Sequence, residues 1–389
     1  MRSTKFLIIL LLILPLPPSF GQAVTVQTVS PEAARHVAEA RSAEAREDWQ
    51  EAERSYLKAI KLAPAWAEAL VNLGVVYNHE SRTDEAILVL RHAAQIRPEL
   101  FAAHLNLGVT YFKAQRYEEA ITSLGHAVTI EPTNVQAREL LALSWIAVEK
   151  FQEAVEQLET LYSRQRRDPA ILQALGQSYL RLKIYDRAVK RLAELVSVAP
   201  HSAQAHLLLG EALDNASESE RAIPEFRRAI EMDPRLAEAH YALGYVLLKR
   251  GETDEAVRRF AEELDINPGM TLALYHLGKI NLSRGEFDTA VSMLSRVIEA
   301  VPDFRPGLEA LGQGLLKKGE AAHAVAVLER AVKLDPQWPD GHVLLGRAYM
   351  ATGQRDDAKK EFNTAQKLSG EERKRLEEKV TGSKSPARP

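Results

Sequence analysis

Cysteine is absent from the 389-residue sequence, which excludes disulfide bonds, thiol catalysis and thiolate-ligated metal sites. An excess of positive charge is absent too, because 50 lysines and arginines face 53 aspartates and glutamates. Nucleic-acid binding needs a basic face for the phosphates, so this balance argues against a nucleic-acid partner. With 46% apolar and 26% charged residues, the composition is that of a folded soluble protein.

Sequence motifs of the common catalytic and cofactor sites are missing as well. The chain has no HExxH zinc motif, no glycine-rich phosphate loop and no GxSxG nucleophile elbow at usable spacing. Its carboxylates lie mostly in the first turns of predicted helices, as in "TDEA" (83–86), where the helix dipole favours them. We therefore predict no catalytic residue, no metal site and no cofactor.

The N-terminal residues differ in composition from the rest of the chain. Two basic residues, Arg2 and Lys5, precede an apolar run (6–14) and a proline-rich break. This layout is typical of a secretory signal peptide, and the run is short for a membrane span. We predict a signal peptide at 1–21, a linker at 22–32 and an exported protein, periplasmic or secreted. The alternative is an uncleaved N-terminal anchor. No later stretch is apolar enough to cross a membrane, so no span is expected once the leader is removed.

Beyond this segment the sequence matches itself at a shift of 34 residues, without insertion or deletion. Position 20 of the repeats is alanine in all ten, and position 8 is glycine in eight. Position 24 is always a large apolar residue, and position 32 is proline in eight. The repeats, numbered 1 to 10, cover 33–66, 67–100, 101–134, 135–168, 169–202, 203–236, 237–270, 271–304, 305–338 and 339–372.

The spacing within each repeat predicts two helices. Positions 4, 7, 8 and 11 form one stripe of a first helix, and positions 20, 24 and 27 form one stripe of a second. Glycine at position 15 of the last four repeats would end the first helix in the left-handed conformation, and the proline stops the second. Small residues at positions 8 and 20 let the two backbones approach closely. Such hairpins bury their apolar faces only against their neighbours, so they must stack as a solenoid.

This pattern closely resembles the tetratricopeptide repeat family. The stretch "NLGVVY" (72–77), followed by Ala86 and Pro98, is similar to the family consensus, as is "NLGVTY" (106–111). The resemblance implies an all-α, right-handed superhelical solenoid of helix-turn-helix repeats. It also implies a concave groove, lined by the first helices, that holds a protein or peptide.

The residues after the last repeat predict a capping helix followed by a tail. Leu376 and Val380 lie four residues apart amid charges, which favours a capping helix at 371–380 with a polar outer face. The final residues, 381–389, are rich in small and polar residues and predict a disordered tail.

Histidines provide the first test of an enzymatic function. Five of the eleven fall at position 4 of their repeats, namely His36, His104, His206, His240 and His342. Family members carry a packing residue at this position. Since active sites are built from convergent groups rather than lone residues, we predict packing contacts here.

Groove-lining positions in the family are 2, 5, 6, 9, 12 and 13. Asn72 and Asn106 occupy position 6 of repeats 2 and 3, with Lys113 nearby, and an amide can both donate to and accept from a peptide backbone. The lysine that chaperone-tail clamps carry at position 5 is replaced by Val71 and Leu105. Recognition of a cytosolic chaperone carboxylate is therefore not expected.

Repeats 7 and 8 offer a richer set of candidates. Aromatic and cationic side chains share their predicted first helices, namely Tyr241, Tyr245, Lys249, Tyr275, His276 and Lys279. Aromatic rings with neighbouring cations are suited to holding a peptide segment. The alternative is that the rings only pack on adjacent helices.

The sequence thus predicts a non-enzymatic protein–protein interaction scaffold that holds a protein or peptide partner in its concave groove. One alternative is a structural or assembly component of an extracytoplasmic or envelope complex that uses convex faces and loops. Another is an enzyme whose site lies hidden among the repeat residues.

Overall fold

The computed structural model describes residues 29–164 and 167–382, with the backbone alone described for 372–382. Twenty helices and no strand make up these described residues. The predicted signal peptide, most of the predicted linker and most of the predicted tail lie outside them. The chain divides into two compact bodies, Met1–Arg191 and Leu192–Pro389.

The N-terminal body holds nine helices and the beginning of a tenth. They are α1 (Pro31–Glu44), α2 (Trp49–Leu62), α3 (Ala67–His79), α4 (Thr83–Ile96), α5 (Phe101–Lys113), α6 (Tyr117–Ile130), α7 (Val135–Ala147), α8 (Phe151–Arg164), α9 (Pro169–Arg181) and α10 (Tyr185–Val198). The boundary between the bodies falls within α10.

The C-terminal body continues the same alternation of first and second helices. Its helices are α11 (Ala203–Asn215), α12 (Ser219–Met232), α13 (Ala239–Lys249), α14 (Thr253–Ile266), α15 (Thr271–Arg284), α16 (Phe287–Ala300), α17 (Arg305–Lys318), α18 (Ala321–Leu334), α19 (Pro339–Ala351) and α20 (Arg355–Gly382). Nearly all begin at position 1 or position 17 of a repeat, as the sequence period predicts.

Each body consists of two helical layers. A first helix packs against the second helix of its own repeat, as α3 does with α4 and α15 with α16. It also packs against the next first helix, as α3 does with α5 and α15 with α17. The first helices therefore form one layer and the second helices the other, and the predicted all-α class of stacked hairpins is confirmed.

Closure of each hairpin depends on the small residues at positions 8 and 20. All ten alanines at position 20 are completely buried. A Cβ atom placed on Gly74 would lie 2.5 Å from Cγ of Leu90, and one on Gly244 would lie 2.9 Å from the ring of Phe260. Position 8 thus lies against the large residue at position 24 of the same repeat, and the predicted close approach of the two backbones is confirmed.

Position 15 ends the first helix in all ten repeats. The four glycines predicted to adopt left-handed backbone, such as Gly251 with φ of 82°, do so. In the other six repeats a residue with a side chain takes the same conformation, as Ser81 does with φ of 61°. The turn closes with a hydrogen bond from Arg82 N–H to the Tyr77 carbonyl oxygen, the six-residue bond of a Schellman motif. The backbone of this turn is therefore common to the whole array, with or without glycine.

The C-terminal end differs from the prediction. The segment 371–380 is not a separate capping helix, because α20 continues through it to Gly382. Position 32 of repeat 10 is Gly370, where eight repeats carry proline. Glycine keeps its N–H and has no ring to clash with the preceding turn, so nothing there stops the helix.

Candidate functional site

Helix α13 begins two residues later than the repeat pattern predicts, and a buried carboxylate explains the shift. Glu263, on the second helix α14, is completely buried at position 27, where the other repeats carry alanine, leucine or valine. Its Oε1 accepts a hydrogen bond from Glu238 N–H at 3.1 Å, and its Oε2 accepts one from Tyr241 N–H at 3.3 Å. Glu238 takes a left-handed conformation with φ of 71° just before the helix. The carboxylate on α14 therefore caps the N-terminus of α13 and fixes the start of the helix that carries Tyr241.

Four rings from α13 and α15 form a continuous surface, which we call the aromatic surface: Tyr241, Tyr245, Tyr275 and His276. The Tyr241 and Tyr245 rings lie 6.1 Å apart and nearly parallel, at 18°. His276 lies 5.4 Å from Tyr245 and 5.2 Å from Tyr275, so it joins the tyrosines of the two helices. Such offset and edge contacts stabilise aromatic clusters beyond their buried area.

His276 is the neutral centre of the aromatic surface. Its ring stacks on Phe260 of α14 at 5.5 Å with an angle of 11°. Burial, and to a smaller degree the charge of Lys279, lowers the pKa of His276 to about 4. The imidazole is therefore uncharged near neutral pH. No described side chain or backbone group forms a hydrogen bond with it, so it can still bond to a ligand.

The tyrosines differ in their exposure. Tyr241 is half-buried, and burial raises the pKa of its hydroxyl to about 12, which keeps the proton on the oxygen. Tyr245 is 38% exposed, which makes it the most open ring of the aromatic surface. None of the three tyrosine hydroxyls bonds to a described residue. Packing against neighbouring rings thus accounts for the presence of Tyr241 better than for the presence of the more exposed Tyr245.

Two lysines flank the aromatic surface in different states. Lys249 Nζ lies 5.5 Å from the centre of the Tyr245 ring and pairs with Asp214 Oδ1 of α11 at 2.7 Å. Lys279 Nζ lies 5.6 Å from the centre of the Tyr275 ring, and no ion pair ties it to a described carboxylate. Lys279 therefore forms no close ion pair within the described part of the chain, although its charge acts on the half-buried carboxylate of Glu309.

The other predicted groove residues lie in the N-terminal body and do not form an open polar site. Asn72 is 6% exposed, and its side chain lies near the buried hydroxyl of Tyr56 and not in open solvent. Asn106 is 9% exposed and donates to the Ala102 carbonyl oxygen of its own helix at 2.8 Å. Lys113 is exposed. These three residues belong to the N-terminal body, and the residues of the aromatic surface belong to the C-terminal body.

The position-4 histidines act as packing contacts, as predicted, in four repeats. Their Nε2 atoms lie 2.8 to 3.2 Å from the carbonyl oxygen of the proline that ends the preceding repeat. The four are His104, His206, His240 and His342, and all are buried. His36 instead contacts Glu39 at 2.8 Å on its own helix.

Sequence reasoning missed three residues that support the aromatic surface. Phe260 lies under His276, Phe304 lies edge-on to Tyr275 at 5.2 Å, and Glu263 caps α13. The two phenylalanines look like ordinary core residues in the sequence. Glu263 could have been noticed, because it is the single charged residue at position 27 in ten repeats.

The described residues contain no cluster of metal-ligating side chains and no helix suited to spanning a membrane. Within residues 29–164 and 167–382, no three histidine, aspartate or glutamate side chains converge as metal ligands do. In that same part of the chain, no helix combines the length and the apolar composition needed to span a bilayer.

Solved structures similar to this chain include several repeat proteins. The complex of Naa15/Naa10 bound to HypK-THB is 15% identical, with a TM-score of 0.46, and the match covers 86% of this chain and 63% of that one. The chain thus spans less than two thirds of that protein. YrrB, described as a TPR protein with an unusual peptide-binding site, is 19% identical with a TM-score of 0.46, over 48% of this chain and 96% of its own. A tetratricopeptide repeat protein from Parabacteroides merdae is 15% identical with a TM-score of 0.43, over 64% and 98%.

Family comparison covers nearly the whole array. The family described as the cilia and flagella-associated protein 70 C-terminal domain matches residues 19–242, and the one described as tetratricopeptide repeat matches residues 247–312 and 315–373. No curated protein matches the sequence. Together with the ten helical hairpins, these matches establish that the chain belongs to the tetratricopeptide repeat family.

Proposed function

We propose that the protein is a non-enzymatic interaction scaffold that holds a protein or peptide segment on the aromatic surface of α13 and α15. Members of the family typically serve as protein–protein interaction scaffolds. One observation carries the choice of site: Tyr245 is 38% exposed at the edge of a ring cluster whose other members are half-buried. Stacking of the repeats does not require a large ring in that place.

The chemistry of the surface suggests what the partner presents. Rigid tyrosine rings bury a large contact area at little cost in side-chain entropy, and their hydroxyls remain free to hydrogen-bond. A neutral His276 adds a hydrogen-bonding group without a desolvated charge. Lys279 offers a cation at one edge. A peptide segment with an apolar side chain next to a carboxylate would match all three features.

Site-specific photocrosslinking tests the proposal directly. Benzoylphenylalanine is placed at Tyr245 in the full-length chain and, as a matched control, at Leu88 of α4, which is 72% exposed. We expect a discrete adduct with a cellular protein from the Tyr245 position and none from the Leu88 position. An adduct from Leu88 alone would favour an assembly component that uses its outer faces.

We also propose that the protein is exported and functions outside the cytoplasm. The support is the order of basic, apolar and proline-rich residues at the start of the sequence. N-terminal sequencing of the protein from cell fractions tests it, with a mature start near residue 22 expected in the exported fraction. An intact N-terminus in the membrane fraction would instead indicate an uncleaved anchor.

A further inference from the structure

A second surface feature lies among the second helices of the N-terminal body. A cavity of about 400 Å³ opens between the second helices α8 and α10. Its lining consists of Glu159 from α8 and Arg187, Lys190 and Arg191 from α10. We call these four residues the cationic cleft, because three cations face a single carboxylate.

Inside the cleft, Glu159 is already engaged. It accepts hydrogen bonds from Tyr179 Oη at 2.7 Å and from Arg191 Nη2 at 3.0 and 3.1 Å. The Arg191 guanidinium also lies 3.7 Å from the centre of the Tyr162 ring. The one carboxylate of the cleft therefore neutralises Arg191, which is held in place on both sides.

Arg187 and Lys190 have no such counterion. The Arg187 guanidinium comes within 3.5 Å of Tyr179 Oη, and no carboxylate among the described residues forms an ion pair with it. Lys190 likewise pairs with no described carboxylate. Both side chains are exposed and lie three residues apart on α10, on neighbouring parts of one helix face. The cleft thus offers two unneutralised cations in a fixed relation.

Arg187 also departs from the charge pattern of the array. Position 19 of the repeat carries glutamate or aspartate in six of the ten repeats and arginine in only two, at 187 and 221. It is the third residue of the second helix, where the helix dipole favours a carboxylate and disfavours a cation by about 0.3 to 1 kcal/mol. An arginine at this place is unfavourable for the helix, but it puts a cation next to the partial positive charge of the helix N-terminus. The Arg187 side chain and the N-terminus of α10 together favour the binding of an anion that belongs to another molecule.

Another charged cleft of the N-terminal body, between α2 and the turn that joins α3 to α4, has a different arrangement. It too is lined by charged residues, among them Arg82, Glu53 and Glu80. There Arg82 pairs with Glu53 at 2.8 Å, with Glu80 at 2.9 Å and with Glu85 at 2.8 Å. The chain balances its own charges at that cleft, whereas the cationic cleft is left with an excess of positive charge.

We propose that the cationic cleft binds an acidic segment of a protein partner, whose carboxylates pair with Arg187 and Lys190. A guanidinium matches a carboxylate through two parallel hydrogen bonds, and two cations one turn apart suit two nearby acidic side chains. The net charge of −3 over the whole chain gives no broad basic face, which favours a short acidic peptide over a nucleic acid. The cationic cleft belongs to the N-terminal body, and the aromatic surface belongs to the C-terminal body.

Fluorescence anisotropy of labelled peptides tests the proposal with the full-length protein. A hexaglutamate peptide is the probe and a hexaglutamine peptide is its uncharged match. We expect only the hexaglutamate to bind, with affinity falling as salt rises, because exposed charges are screened. Arg187→Glu and Lys190→Glu should each weaken binding about tenfold or more. Arg187→Gln, which adds no negative charge near Glu159, should also weaken it.

Arg221→Glu is the matched control, since it reverses an exposed arginine at the same repeat position of α12. It should leave hexaglutamate binding unchanged, and circular dichroism should show all variants folded. The proposal is overturned if the Arg187 variants bind like the wild type, or if hexaglutamine binds equally well. It is also overturned if inorganic phosphate displaces the peptide at equal concentration, which would indicate a site for small free anions.

Discussion

Glu263 Oε2 accepts a hydrogen bond at 3.3 Å from the backbone N–H of Tyr241, so a fully buried acid supports a half-buried ring of the aromatic surface. The same carboxylate bonds to Glu238 N–H at 3.1 Å. Unlike the six alanines found at this position in other repeats, Glu263 links the core of the hairpin to the residues that face outward. Stability and the candidate site are therefore coupled here.

The Glu263→Gln variant should lose about 1 to 3 kcal/mol of unfolding free energy. A carboxamide oxygen can accept one of the two backbone N–H groups, but its NH₂ group meets the other as a second donor. Chemical denaturation of the full chain measures the loss. Asp265→Asn, on the same helix α14, is the control, because Asp265 is exposed and forms no ion pair with a described residue. That change should cost at most about 1 kcal/mol, and equal losses would contradict the capping role.

His276 should make stability depend on pH between about 6.5 and about 4. Its pKa in the folded state is lowered to about 4 from an ordinary value of 6.5, so only the unfolded chain binds the proton in this interval. Stability is therefore fully present above pH 6.5 and falls as the pH drops toward 4. Allowing for partial solvent screening, the loss is about 1 to 2 kcal/mol.

The His276→Phe variant isolates this contribution, since phenylalanine can keep the stacking on Phe260 and cannot be protonated. Unfolding midpoints of wild type and variant are compared at pH 7 and pH 4.5. The wild type should weaken relative to the variant at the lower pH. A constant difference between the two would rule out a buried neutral imidazole.

Substitution of each stacked tyrosine should show whether its ring serves mainly the stability of the fold or the binding of a partner. Tyr245→Ala should cost about 0.5 to 1.5 kcal/mol, because the ring is 38% exposed and its loss removes the contacts with Tyr241 and His276. Tyr241→Ala removes a half-buried ring that packs on Phe260 at 5.8 Å, and it should cost about 1 to 3 kcal/mol. Thermal melting measures both. A large destabilisation by Tyr245→Ala would assign that ring to packing instead of partner binding.

The effect of a methyl group added at position 8 can be compared with its effect at another glycine inside a helix. Gly74→Ala places a Cβ 2.5 Å from Leu90 Cγ and should cost about 1 to 3 kcal/mol. Gly125, within α6, has nothing within 4 Å of the added atom. Gly125→Ala should therefore stabilise the protein by about 0.5 to 1 kcal/mol, since alanine favours the helix. If the two variants change the free energy of urea unfolding in opposite directions, the close approach at position 8 is supported. Changes in the same direction would contradict it.

Helix contacts could be predicted from the sequence wherever the same residue type recurs at the same position of the repeats. Alanine at position 20 and glycine at position 8 identify helix contacts, because a single period imposes the same neighbours on every copy. The late start of α13 could not be predicted, since it depends on a side chain reaching from position 27 of one helix to the backbone of another. The length of α20 depends on Gly370 in place of proline, a change that permits a longer helix without requiring one.

The candidate site was predictable in part. Tyr241, Tyr245 and Tyr275 lie together because groove positions of consecutive repeats are neighbours. The same rule failed for Asn72 and Asn106, since burial at positions 5 and 6 depends on the size of surrounding side chains. Val71 and Leu105 are themselves 4% and 9% exposed. A position number therefore indicates a face of the helix but not its access to solvent.

The contact of Gly74 with Leu90 lies within a single repeat, about half a repeat apart along the chain. Contacts so close in sequence need little loop closure before they form, and chains dominated by them fold quickly. Each hairpin can thus nucleate from its own residues and then recruit the next one. The array should grow like a zipper, with a folding rate set by local closure and only weakly by the number of repeats.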